Sequence, residues 1–387
     1  MYLSTTKTYD LIIAGAGPTG LFAGVLACQS GLDVLILEKN SKPILHSRSI
    51  GIHPPALQMI SEAGLLDAFL KKGLRIRRGH ALTRHRCPLG TLEFRELPPP
   101  FNYILTIPQW VTELIFTEKL VGIKPGIVQR DVAVTGIIQR DDHCEVATRE
   151  GRNGEERTLR ARMVLGCDGK KSTIRQMSGI PFPGGSYPHR YAMGDFADHT
   201  EFDTDAVIFL SLRGLVECFP LPDGTRRWVM QLDPDRPSEK ATEFVEQIQE
   251  RCGIAPDPDT CSMFSVFGVE RYLAEQLWKG RVALAGDSAH VVSPIGGQGM
   301  NLGWIHASEA VRGVASVLRG EMTLEEASRS YNRSGRSRAM KVIRRSEFNM
   351  FLGNRSRMPG LRNQLVRLLL LSPLRSKLIH RFTMQGL

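Results

Sequence analysis

Little in this chain ties it to a membrane or to an oxidising compartment. No stretch approaches the ~20 consecutive apolar residues of a membrane span. Met1 to Thr8 is polar, with no apolar core of a signal peptide ahead of the first candidate strand. The seven cysteines are odd in number and scattered, and no two form a C-x-x-C pair. That pattern argues against a disulfide framework or a metal site and for reduced thiols in a cytoplasm. Internal repeats and low-complexity tracts are absent. No aromatic stacking platform accompanies the positive charge, so nucleic acid is not an expected partner.

What is present is enough sequence for two domains, 387 residues, and a net charge of +10 that is unevenly spread. From Arg333 onward thirteen Lys and Arg face one acid, Glu347, leaving the rest of the chain at −2. This basic helical tail reads as a solvated face that attracts anions, or as a surface for peripheral contact with an anionic membrane.

The most informative stretch is Tyr9 to Gly20. Leu11 to Ala14 read as a buried parallel strand, followed by Gly15, Gly17 and Gly20 in G-x-G-x-x-G spacing. Gly15 permits the turn, Gly17 leaves the backbone open to a pyrophosphate, and Gly20 lets the next helix pack closely. That helix, about Leu21 to Ser30, points unpaired N–H groups at the phosphates. A second strand, Val34 to Leu37, ends at Glu38, 23 residues after Gly15. A carboxylate there accepts from a ribose 2′-hydroxyl and repels a 2′-phosphate, so FAD or NAD fits better than NADP.

Arg48, in a polar loop, is either a pyrophosphate partner or a surface arginine. Pro55 to Ala63 and Leu65 to Lys72 read as helices; Gly79 to Arg84 and Thr91 to Arg95 read as strands in an excursion closed by Pro98 to Pro100. Gln109 precedes a helix, Val111 to Leu120, as a ligand contact or a cap. Asp131 to Thr135, Cys144 to Thr148 and Leu159 to Leu165 read as strands, the last followed by Asp168-Gly169. Asp168 serves a ribose or caps the next helix. Pro181 to Pro188 reads as a crossing into a β-rich region, Tyr191 to Leu232, with turns at Leu212 to Gly214 and Pro222 to Gly224. Ala241 to Cys252 is an amphipathic helix and Ser262 to Tyr272 a returning strand. A short apolar strand then reaches Gly286-Asp287, and Pro294 to Asn301 opens a helix to about Leu318. His290 is read as structural or proton-handling.

The glycine turn with Glu38, Asp168-Gly169 and Gly286-Asp287, in this order, resemble the FAD-dependent aromatic hydroxylases, the single-component flavoprotein monooxygenases. The resemblance covers nearly the whole chain. It implies an α/β fold: a Rossmann-like FAD-binding domain (1–78, 101–182 and 275–332), an inserted, mostly antiparallel β-sheet substrate domain (79–100 and 183–274) and a basic C-terminal helical region (333–387). It implies that Gly15, Gly17, Pro18, Thr19, Gly20, Glu38 and Lys39 bind the nucleotide half of FAD. Arg48, Gln109, Val132, Asp168 and Gly169 add contacts, and Asp287, Pro294, Gly297, Gln298, Gly299, Met300 and Asn301 bind the flavin half. In the family NADH or NADPH docks transiently, and reduced flavin and O₂ form a C4a-hydroperoxide that hydroxylates a phenolic or quinone-like ring. No metal is expected, and the quaternary state is monomer or homodimer. Phe209, Arg213, Phe219, Trp228 and Pro294 are the substrate-pocket candidates, with no base assigned. The W-x-W-x-I-P signature of flavin halogenases is absent. Rival readings are a flavin-dependent reductase or dehydrogenase of an isoprenoid or quinone, a non-enzymatic FAD-bound interaction protein, and an NAD-only dehydrogenase.

Overall fold

The computed structural model describes residues 7–43, 49–151, 154–236, 238–356 and 358–387. Its first half alternates strands and helices. β1 (Thr8–Ala14), α1 (Pro18–Gln29), β2 (Val34–Glu38), β3 (Gly51–Ile52), α2 (Pro54–Glu62), α3 (Leu66–Lys72) and β4 (Leu74–Ile76) precede a hairpin of β5 (Arg78–Thr83) and β6 (Pro88–Glu93). Then come β7 (Ile104–Thr106), α4 (Gln109–Ile123), β8 (Val128–Arg130), β9 (Val132–Gln139), β10 (Cys144–Glu150), β11 (Glu156–Gly166) and α5 (Thr173–Met177). The second half holds β12 (Gly184–Ala197), β13 (Ala206–Ser211), β14 (Gly214–Pro220), β15 (Thr225–Gln231), α6 (Ala241–Cys252) and β16 (Met263–Leu273). It ends with β17 (Trp278–Lys279), β18 (Val282–Leu284), β19 (His290–Val291), α7 (Gly299–Leu318), α8 (Leu324–Gly353), α9 (Pro359–Leu371) and α10 (Leu374–Phe382).

Two large sheets result. The first runs β17-β18-β11-β1-β2-β8, with β10 and β9 attached beside β11. Its centre is parallel, β18 to β11 to β1 to β2 to β8. Leu11, Ile12 and Ile13 are fully buried, as an aliphatic strand covered on both faces must be. The second sheet runs β19-β16-β12-β15-β14-β13-β5-β6 and is antiparallel except where β13 meets β5. The early hairpin thus joins strands from more than a hundred residues later.

Alternation along the second sheet divides its faces. Val207, Phe209, Val216, Cys218, Trp228 and Met230 point to one side and form a core with Phe244 and Ile248 of α6. Met193, Leu210, Leu215 and Val229 point the other way and meet Met350 of α8 and Val366 and Leu370 of α9.

Three expectations change here. Pro181 to Pro188 is not a crossing throughout: β12 starts at Gly184, and Pro188, which lacks an N–H, sits where the pairing with β16 shifts register between Ser186 and Arg190. A boundary at 332/333 falls inside α8, which runs unbroken for 30 residues. Its start is a capping box: Thr323 Oγ1 accepts from the Glu326 N–H at 3.2 Å while Glu326 accepts from the Thr323 N–H at 2.9 Å. β19 joins the second sheet through β16, although it lies between elements of the first. No helix among the described residues is long and apolar enough to cross a membrane.

Candidate functional site

One cavity of ≈ 1090 Å³ lies between the two sheets, under the C-terminal helices. Its wall begins at the β1–α1 turn. Gly15 is at φ +102°, and a Cβ there would collide with the Cys167 carbonyl; a Cβ on Gly20 would collide with the Gly15 carbonyl. These two glycines are demanded by close packing. Gly17 differs, because a Cβ there meets no atom within 4 Å. It lines the cavity with Ala16, Pro18 and Thr19 and is the N-cap of α1, whose first turn has neither an acidic residue nor a side-chain cap. The backbone N–H groups therefore face an open cradle, which fits a pyrophosphate.

Glu38 is fixed beside that cradle. One carboxylate oxygen accepts from the Ala16 N–H at 2.8 Å; the other accepts from the Asn40 N–H at 2.9 Å and its side-chain amide at 2.7 Å. Three of its four lone-pair sites are thereby filled, and the fourth is open to a ribose hydroxyl. Gln109 also lines the cavity; its Oε1 accepts from the Ser49 N–H and its Nε2 donates to Glu113 at 2.9 Å.

The far end of the chain closes on the same turn. A Cβ on Gly286 or on Gly303 would stand 2.7 Å from Thr19 Oγ1, and Trp304 Nε1 donates to the Pro18 carbonyl at 3.0 Å. Asp287, exposed, lines the cavity, as do Pro294, Gly296, Gly297, Gly299 and Met300. Gly169 lines it too and leaves open space at its Cβ position.

Other expected residues lie elsewhere. Asp168 is not on the cavity wall; its Oδ2 accepts from the Ile174 N–H at 3.1 Å at the start of α5. Gln298 is fully buried and donates to the Arg381 and Phe382 carbonyls, tying α7 to α10. Asn301, also buried, donates to the Gly51 and Gly297 carbonyls and accepts from the His53 N–H. Lys39 is exposed and Val132 half-buried in β9, neither on the cavity wall. Arg48 lies outside the described residues. Of the substrate candidates, Phe219 and Pro294 line the cavity. Phe209 and Trp228 are on the opposite face of the sheet, and Arg213 pairs with Glu250 at 3.1 Å. Strand parity decides this: a neighbour one residue away faces the other side. His290 and His306 meet edge-on at 4.6 Å in the interior, and burial drives the His290 ring down to about 3, so it stays neutral.

Three cavity residues are additional to those the motifs marked. His53, 2 % exposed, stands 3.5 Å from the Cβ position of Gly297, and burial lowers its ring to about 4. Arg227 is clamped to Asp195 by two hydrogen bonds of 2.7 Å. Glu217, 5 % exposed, faces the cavity from β14 between Ile208 and Val229, and burial raises its carboxyl group to about 7. The turn at Gly214 and strand alternation, not any motif, carry the signal for Glu217. Among the described residues no group of His, Cys, Asp and Glu is arranged to hold a metal ion.

A family model described as FAD binding domain matches residues 8–346. The rifampicin monooxygenase of Streptomyces venezuelae is 33% identical over 303 residues, covering 76% of this chain and 61% of that protein. The chain spans about three fifths of the length of such curated relatives. Among solved structures, the anhydrotetracycline hydroxylase OxyS from Streptomyces rimosus superposes with a TM-score of 0.80 at 27% identity, covering 98% of this chain and 77% of that one. The p-nitrophenol 4-monooxygenase of Pseudomonas putida superposes with a TM-score of 0.88 at 21% identity, covering 97% and 98%, and shares the fold.

Proposed function

The chain belongs to the FAD binding domain family, and from that premise we propose that it is an aromatic monooxygenase using NADH or NADPH and O₂ to hydroxylate a phenolic or quinone-like substrate. The observation that carries this reading is the cavity between the two sheets, with a phosphate cradle at one end and a carboxyl-bearing, apolar sheet at the other. When bound, FAD supplies hydride acceptance and oxygen activation.

The chain's own residues do the rest. Gly17 and the α1 N-terminus hold the pyrophosphate, and Glu38 accepts from the adenosine ribose. Asp287 accepts from the ribityl chain. The N-terminal end of α7, with Gly297 and Gly299 at the wall, lets the ring approach backbone and places a positive dipole end at its electron-rich edge. His53, neutral near pH 7, adds no charge beside that ring. Met193, Leu210, Leu215 and Val229 exclude water and bind the aromatic body of the substrate. Glu217 accepts the proton of the substrate hydroxyl, which raises the electron density of the ring to be attacked.

Two relatives named for rifampicin and for anhydrotetracycline support an aromatic substrate here. The test is NAD(P)H oxidation by the FAD-loaded protein against a panel of phenols under isotopically labelled dioxygen. Phenol-stimulated oxidation with one labelled oxygen atom in the product is the expected result. Anaerobic turnover yielding a stoichiometric reduced product would replace this reading with a reductase.

A further inference from the structure

The basic tail forms a second recess that the reaction above does not use. It lies between α8 and α10, measures ≈ 590 Å³ and is open to solvent. Lys341, Arg344, Arg345, Lys377, His380 and Arg381 line it, and no acid does. None of the five Lys and Arg is in an ion pair among the described residues. Glu347, the only acid on this part of the chain, is committed to Arg271 at 2.7 Å and to the Tyr187 hydroxyl at 2.7 Å.

Arg345 Nη1 and Arg381 Nε are buried without a hydrogen-bond partner. Arg345 donates Nη2 to the Gln385 carbonyl at 3.1 Å, and the Arg381 guanidinium lies 4.4 Å from the Phe348 ring centre. Burial, with the Arg381 charge facing it, holds the Arg345 guanidinium below the ordinary arginine range. Like charges gathered in one recess with no acid among them repel one another, and an anion in the recess offsets that repulsion.

Arg381 lines both this recess and the main cavity. The next residue, Phe382, meets the His53 ring edge-on at 6.2 Å, beside Gly297. An anion in the recess is therefore a neighbour of the flavin end of the cavity. The dinucleotide-binding turn is taken by FAD, and Glu38 there disfavours a 2′-phosphate, so a phosphorylated donor needs its cations elsewhere.

We propose that this recess binds the 2′-phosphate end of a nicotinamide dinucleotide and so selects NADPH over NADH as the electron donor. This rests on the monooxygenase reading for the donor's role, but the binding is testable without turnover. The experiment is calorimetric titration of the FAD-loaded protein with 2′,5′-ADP and, separately, with 5′-AMP. The companion is a variant changing three exposed residues, K341Q/R344Q/K377Q, with its thermal melt recorded.

The wild type should bind 2′,5′-ADP at least about tenfold more tightly than 5′-AMP. The variant should lose at least about tenfold in that affinity with its melt unchanged, and its KM for NADPH should rise while that for NADH stays. Equal affinity for the two nucleotides, or an unaffected variant, overturns the proposal. So does inorganic phosphate binding with no preference for 2′,5′-ADP, which leaves a free-anion site. Sedimentation with phosphatidylglycerol vesicles through the same residues, without 2′,5′-ADP binding, overturns it in favour of a lipid surface. If no nicotinamide reduces the flavin but 2′,5′-ADP binds as expected, the monooxygenase reading fails and the site stands.

Discussion

At Glu217 a carboxyl group stands on a strand among aliphatic side chains, and its environment sets its chemistry. The charged and titratable groups facing it are few. Tyr191 comes from β12 with its hydroxyl unpartnered, and Arg227 of β15 is held by Asp195. Its partner on β13 is Ile208, and Leu210 of β13 and Val366 and Leu370 of α9 line the same cavity. Desolvation is therefore uncompensated, and the folded state keeps the proton up to about 7, against an ordinary value of 4.5. Folding takes up a proton in that window, so this group's stabilisation is complete below pH 4.5 and is lost as pH rises to about 7. Glu217→Gln removes the dependence. Urea denaturation should show the variant gaining about 2 kcal/mol on the wild type between pH 5.5 and 8. The same variant should lose roughly 10²–10⁴ in kcat/KM for a phenol, along with the limb of the pH profile near 7. An unchanged profile would remove Glu217 from the chemistry.

The elements explain why some residues were readable in advance and others were not. Gly15, Gly17 and Gly20 were legible because a phosphate-binding turn needs three glycines for local reasons. Those reasons differ, and the difference is testable. Gly17→Val should fold, since its Cβ meets nothing, yet weaken FAD binding at least about tenfold by equilibrium dialysis. Gly20→Val should fail to fold, because the side chain collides with the Gly15 carbonyl. Equal FAD binding by Gly17→Val would show that the cradle is not the contact. The cavity residues of the second sheet were not legible, since β13, β14 and β15 carry apolar residues on both faces. Parity cannot say which face α6 covers and which α8 and α9 cover. Phe209 and Trp228 therefore looked as suitable as Phe219. Trp228→Ala should cost about 3–5 kcal/mol in stability while leaving the KM of a phenol unmoved. A large KM change with little loss of stability would place Trp228 at the substrate. Gln298 and Asn301 sat in a glycine-rich run that looked like a ligand turn, but their amides hold α7 against α10 and β3. The Thr323–Glu326 capping box was in the sequence and marks the start of α8 nine residues before the basic run.

At the scale of the whole molecule, the chain's two ends are one device. The N-terminal turn and the segment from Gly286 to Trp304 interlock through Thr19 and Trp304, and the C-terminal helices roof the space between them. The tail is thus part of the cavity wall, and its surplus charge gathers where α8 meets α10. On the proposed reading this arrangement predicts one flavin per chain, within reach of an aromatic substrate. The most direct measurement is a titration of flavin-free protein with FAD, followed in the visible range, with a phenol then added to the saturated complex. Saturation at one equivalent, and a change in the flavin bands on adding the phenol, are the predicted results. Protein that takes up no FAD, or a bound flavin whose spectrum is indifferent to every phenol tried, would contradict the account.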